Sequence, residues 1–172
     1  MVKVCGKGRW WLAVPAAVLA VAVAAVAPAA VPEVEIPVTR DLRADARQAN
    51  ARCTPILLVF SARTCSYCRV LEEEVLKPML RSGQYGDRVL VRKVMLDDEV
   101  QVEGFDGHDV SPVRLSHDYN VRFTPTLLFL GPEGGELAGR LIGVNTLDFY
   151  GWYVDQAIDT ANRNLRAGPT CG

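Results

Sequence analysis

Pro55-Ile56-Leu57-Leu58-Val59-Phe60 runs toward Cys65-Ser66-Tyr67-Cys68, and a helix-like stretch over residues 69–80 follows. The first run is apolar at every position, as in a central strand covered on both faces. It predicts a buried strand that delivers Cys65 to the edge of a sheet. Two thiols two residues apart at a helix start can close and open a disulfide with little backbone movement. Unpaired backbone N–H groups at that end favour negative charge. Cys65 is therefore the expected attacking thiolate, titrating below the roughly 8.5 of a free cysteine. Cys68, one turn deeper, is the expected resolving thiol. Arg63 and Arg69 either add positive potential around the sulfur or are simply solvated. Beyond them Leu71, Val75 and Met79, with the offset row Leu76 and Leu80, recur at helical spacing. Glu72, Glu73 and Glu74 crowd the electropositive end, and Pro78 is expected to kink or end the helix.

Downstream, Phe123-Thr124-Pro125-Thr126-Leu127-Leu128-Phe129-Leu130 sets a proline at the mouth of a second apolar strand, where a missing ladder donor is tolerated. Residues 33–38 read as a short edge strand. Thr39 reads as the cap of a helix over Asp41-Leu42-Arg43-Ala44-Asp45-Ala46. Residues 88–96 read as a strand with Val89, Val91, Val94 and Leu96 turned inward, residues 97–109 as loop, and 112–119 as a short helix. Glu133-Gly134-Gly135 predicts a hairpin turn before a strand over 137–142, and Thr146 a cap for a final helix reaching Leu165.

Strand, CxxC, helix, strand, helix and then Thr-Pro-Thr entering a strand: in this order the chain resembles the thioredoxin superfamily over residues 39–162. The resemblance implies an α/β thioredoxin fold, a central mixed sheet flanked by helices, with a domain at residues 39–166. It implies further that Pro125 is cis and packs against the disulfide. It makes Thr124 the residue that offers backbone hydrogen bonds to a docked substrate strand. Tyr67 falls in the dipeptide that tunes redox potential in this family, or else only packs on the rim. Two departures matter: Val59 stands where the family carries a buried aspartate, and Thr64 where it carries a tryptophan. Proton transfer in the resolving step then needs another route. Glu72, one helical turn beyond Cys68, is the nearest candidate relay, with a solvated acidic face as the plainer alternative.

Within the superfamily, the CxYC centre, Gly104-Phe105-Asp106-Gly107 and Val121-Arg122-Phe123-Thr124-Pro125-Thr126 resemble the SoxW-type group of exported bacterial thioredoxin-like proteins. The implied function is an exported thiol-disulfide oxidoreductase that reduces periplasmic protein disulfides and draws electrons from a membrane or periplasmic thiol donor. No cofactor is implied. A disulfide oxidase or isomerase stays open as an alternative, as does a non-enzymatic copper-delivery or binding module on the same fold. Copper-delivery families of this fold typically separate their cysteines by three residues, which this chain does not. A zinc site needs more ligands than one CxxC supplies, and no second CxxC or close histidine pair accompanies it, so no metal is expected; His108 and His117 read as solvated or satisfied. Arg69 occupies the position where covalent haem attachment requires histidine.

Lys3, Lys7 and Arg9 precede an uncharged stretch over residues 10–31, a basic n-region followed by an apolar h-region. Ala27-Pro28-Ala29 offers small residues for cleavage, yet the run is also long enough to span a bilayer. Residues 1–30 thus read as a signal peptide or membrane anchor, and 31–38 as a linker or edge strand. Both readings put the body in the periplasm or on the outer face of the inner membrane. The 172-residue chain has formal net charge −1, and removing the three basic and no acidic side chains of residues 1–30 leaves −4. Nothing in this balance indicates nucleic acid. Setting Cys5 aside, Cys53, Cys65, Cys68 and Cys171 form an even set suited to an oxidising compartment. In a thioredoxin-like sheet Cys53 lies at the end opposite the active site, toward which the final helix returns. Cys171, on the tail 167–172 after Gly168-Pro169, can then bridge to Cys53; two unpaired thiols are the alternative.

Overall fold

The computed structural model describes Met1, residues 33–169 and Cys171; the expected signal peptide or anchor lies, apart from Met1, outside the described residues. Among the described residues no helix is long and apolar enough to cross a membrane. In chain order the elements are α1 (Leu42–Arg52), β1 (Ile56–Ser61), α2 (Ser66–Leu71), a π-helical turn (Glu72–Leu76), α3 (Lys77–Arg81) and β2 (Leu90–Met95). There follow β3 (Val102–Glu103), β4 (Asp109–Val110), α4 (Pro112–Asp118), β5 (Thr126–Leu130), β6 (Glu136–Ile142) and α5 (Leu147–Ala167). The main sheet has the order β2-β1-β5-β6. β1 is parallel to β2 and antiparallel to β5, which in turn is antiparallel to β6.

Every residue of β1 is buried. Because side chains alternate along a strand, the run feeds two cores at once. Leu57 and Val59 pack with Leu71 and Leu76 of the α2–α3 arm and with Val154 and Ile158 of α5. Ile56, Leu58 and Phe60 pack with Leu42 and Ala49 of α1 and Leu115 of α4. The result is a helix–sheet–helix sandwich, the thioredoxin fold, in which β1 is the covered middle strand.

Local chemistry departs from the sequence expectations at several points. Asp41, not Thr39, caps α1: its carboxylate accepts the Ala44 N–H at 2.6 Å, while the Thr39 hydroxyl donates to Asp45 at 2.5 Å. The expected edge strand shrinks to a single bridge between Val38 and Lys93, since Pro37 has no N–H to extend the ladder. The helix after the cysteines starts at Ser66 and passes through Pro78. Lys77 N–H reaches back five residues to the Glu72 carbonyl, and this wider turn accommodates a ring that would crowd the carbonyl four residues earlier. Residues 97–109 are not all loop, because β3 and β4 pair there and bury Val102 in the second core. Thr146 precedes α5 but makes no side-chain cap bond. In the β5–β6 turn Gly134 has φ 81°, and a Cβ there would stand 2.9 Å from both Phe105 and Tyr119, so only glycine fits.

Candidate active site

Phe60 pairs with Thr126, and Thr126 with Ile142. The turn leaving β1, the segment entering β5 and the exit of β6 therefore share one end of the sheet. At this end Cys65 is the N-cap of α2, and its Sγ accepts the Cys68 N–H at 3.1 Å. An amide thus points at this sulfur, an arrangement that favours negative charge on it in the reduced state. The two sulfurs are bonded at 2.06 Å. Their environments differ: Cys65 is half-buried, whereas Cys68 is only 2 % exposed and packs beneath it. Cys65 is the more accessible residue of the pair.

Glu72 does not lie on a solvated face. Its Oε2 accepts from Lys93 Nζ at 2.8 Å, and both side chains are largely buried. Ser61 Oγ approaches the other oxygen, Oε1, at 3.5 Å, the outer limit of a hydrogen bond. Lys93 is the strand neighbour of Val59, the position where an acid was missed in the sequence. Through Lys93, the helix carboxylate of Glu72 is held beside that strand position. Lys93 escaped the sequence reading, although a lysine inside Leu90-Val91-Arg92-Lys93-Val94 was itself a signal, because lysine is buried almost only when paired. Arg63 is engaged by acidic residues: its backbone N–H and guanidinium bind Asp97, and the guanidinium also binds Asp98. Arg69 is exposed on α2.

Tyr67 is 62 % exposed beside the cysteines. Thr124 is half-buried, Pro125 is buried, and the peptide bond between them is cis. The Pro125 carbonyl accepts the Gly143 N–H at 2.8 Å, and the Gly143 carbonyl accepts the Tyr150 hydroxyl at 2.7 Å. Burial pushes the Tyr150 phenol up to about 12. Thr126 Oγ1 donates to the Phe123 carbonyl at 2.7 Å, so the backbone on both sides of Pro125 is fixed. A groove of about 620 Å³ adjoins this segment, bordered by Ala62, Leu96, His117, Arg122, Phe123 and Thr124. His117 and Arg122 did not figure in the sequence reading as site residues. Far from here, Cys53, the left-handed C-cap of α1, is joined to Cys171 with a Cα–Cα distance of 5.8 Å.

Among the described residues no group of three or more His, Cys, Asp or Glu side chains is placed to hold a metal ion. The Thioredoxin-like domain family matches residues 42–157. No curated protein matches the chain. Among solved structures, the thioredoxin of Malassezia sympodialis superposes with TM-score 0.51 at 16% identity, over 76% of this chain and 94% of that one. Thioredoxin O2 of Arabidopsis thaliana, in its oxidised state, gives TM-score 0.48 at 21% identity, over 70% of this chain and 91% of that one. The family match, together with the CxxC-spaced pair, supports thiol oxidoreductase activity in general. With a match that spans most of its body and a sheet of the corresponding order, the chain belongs to the thioredoxin-like family.

Proposed function

We propose that this chain is an exported dithiol oxidoreductase that reduces protein disulfides in the periplasm. One observation carries the reading: a half-buried Cys65 whose sulfur accepts a helix N–H is bonded to a Cys68 that is almost wholly buried. In the reduced protein the Cys65 thiolate attacks one sulfur of a substrate disulfide. That S–S bond breaks, and the other substrate sulfur leaves as a thiolate and takes a proton. Cys68 then loses its proton and attacks Cys65 Sγ. The second substrate thiol leaves, and two electrons have passed to the substrate. Glu72, one turn beyond Cys68, takes that proton on Oε1, the oxygen not bound by Lys93. Thr124 and Tyr67 hold the substrate segment, and an external membrane or periplasmic thiol donor restores the dithiol.

The reductive direction is supported by Arg63. Its charge is held by Asp97 and Asp98, so it does not stabilise the Cys65 thiolate, and a less stabilised dithiol is the stronger reductant. Export, and attachment to the outer face of the inner membrane if the segment is retained, rest on the sequence of residues 1–30. The SoxW-type likeness rests on the CxYC centre and the segments around Phe105 and Phe123. Equilibration of Cys65 and Cys68 against defined thiol buffers tests the direction. The expected potential lies nearer the about −270 mV of a thioredoxin than the about −120 mV of a strong oxidant, and a value near the latter reverses it. Fractionation of cells expressing the full chain tests export, which recovery in the cytoplasm would refute.

A further inference from the structure

The groove beside the redox turn carries a cation that the fold leaves without a counterion. It starts at Ala62, three residues before Cys65, and passes Leu96 and α4 to reach Arg122, Phe123 and Thr124. Among the described residues lining it there is no carboxylate. Arg63 is engaged with Asp97 and Asp98, Arg114 with Asp118, and Arg140 with Glu136, while Arg69, also unpaired among the described residues, does not line the groove. Arg122 is exposed in the groove wall and makes no ion pair or side-chain hydrogen bond among the described residues. Beside it Phe123 is 68 % exposed and offers an apolar ring face in the groove wall, and His117 adds a second nitrogen-bearing side chain.

A guanidinium presents a fork of donors that fits a carboxylate, and a phenyl face fits an aliphatic or aromatic side chain. Arg122 and Phe123 directly precede Thr124, the residue assigned to pair with the substrate backbone, so groups bound here belong to residues close to the substrate cysteine. We infer that the groove selects protein disulfides whose cysteine is flanked by an acidic and an apolar residue, with Arg122 binding the carboxylate and Phe123 the apolar side chain. This rests on the dithiol reading of Cys65 and Cys68. Arg122 acts as a specificity determinant and takes no part in the electron transfer itself.

The test uses the reduced full chain in mild detergent and three peptides, each carrying one cysteine as a mixed disulfide with 2-thiopyridine, a neutral chromophoric leaving group. The peptides share an apolar neighbour and differ only in Glu, Gln or Lys two positions from the cysteine. Cys65 attacks the peptide sulfur, the peptide–pyridyl S–S bond breaks and thiopyridone leaves with its proton. Cys68 then displaces the peptide thiol and closes the internal disulfide. The Glu peptide is expected to react about two- to fivefold faster than the Lys peptide at low ionic strength, the ratio shrinking as salt is added. Arg122→Gln should bring that ratio to one, Arg122→Glu should invert it, and Arg122→Lys should keep most of it. Thiopyridone release with a ratio that none of these substitutions moves overturns the inference and leaves the dithiol reading standing. Release from none of the peptides overturns both.

Discussion

Lys93 Nζ lies 2.8 Å from Glu72 Oε2, and the two side chains are 11% and 14% exposed, so a strand lysine and a helix carboxylate form a nearly buried ion pair under the redox turn. Removing one member of such a pair strands the other, whereas replacing both by apolar groups is often tolerated. Lys93→Met should therefore cost about 3–5 kcal/mol in urea unfolding, while Glu72→Leu with Lys93→Met restores most of that stability. Catalysis separates the two roles. In single-turnover resolution of a trapped mixed disulfide, both Glu72→Gln and the double variant should be slower by on the order of a hundredfold at neutral pH. Their rates should also climb with pH where the parent has levelled off. Parent-like resolution in the double variant would remove Glu72 from the proton path.

Cys65 and Cys68 should separate cleanly by substitution. Cys68→Ser leaves the accessible nucleophile in place but nothing to release it, so it should accumulate a covalent complex with substrate protein. Cys65→Ser should yield neither complex nor turnover. In the reduced parent, one equivalent of iodoacetamide should label Cys65, and its rate should level off at lower pH than that of a free cysteine. First labelling of Cys68, found by peptide mapping, would reverse the assignment.

Tyr150 connects the first turn of α5 to the Pro125 segment through Gly143, and it loses its donor when it ionises. Burial raises the phenols of Tyr150 and Tyr119 from 10.0 to about 12. The fold thus retains protons that the unfolded chain releases above pH 10, so the unfolded state binds fewer protons in this window and stability falls as pH rises. Stability should be level in this respect below pH 10 and decline from there through about pH 12. Unfolding midpoints across that range, with tyrosinate absorbance recorded in parallel, check this. Tyr150→Phe should flatten part of the decline, at a cost of about 1 kcal/mol at neutral pH for the lost hydrogen bond.

The middle of the fold was legible because several of its signals agree. A six-residue aliphatic and aromatic run is too short for most helices and fits a covered strand, and the CxxC and Thr-Pro-Thr segments are chemically distinctive. What escaped the sequence depended on contacts distant in the chain. Glu72 looks like one of three solvated glutamates until Lys93, 21 residues on, is seen to meet it. Arg63 looks available to the sulfur until Asp97 and Asp98, 34 and 35 residues on, claim it. Pro78 looked like a helix stop because the rule assumes four-residue hydrogen bonding, and the π turn relaxes that assumption. Thr39 and Asp41 are both acceptable caps, and Asp45 decides between them by taking the Thr39 hydroxyl.

The bond between Cys53 and Cys171 closes a segment with a sequence separation of 118. It ties the tail after α5 to the C-cap of α1, at the sheet end where β1 begins, away from the cysteines that react. In the chain-entropy account a loop of this length restricts the unfolded chain by about 4–5 kcal/mol, less whatever strain the native bond carries. Cys171→Ser should therefore lower the urea midpoint by an amount of that order. It should leave the reduction potential of the Cys65–Cys68 pair where it was, since the bridge is made at the C-cap of α1 and not at the turn that follows β1. Both quantities are measured on the same protein after export to an oxidising compartment. A shifted potential with unchanged stability would mean that the bridge communicates with the active site rather than stapling the fold. Unchanged stability with an alkylatable Cys171 in the parent would mean that the bond does not form in solution.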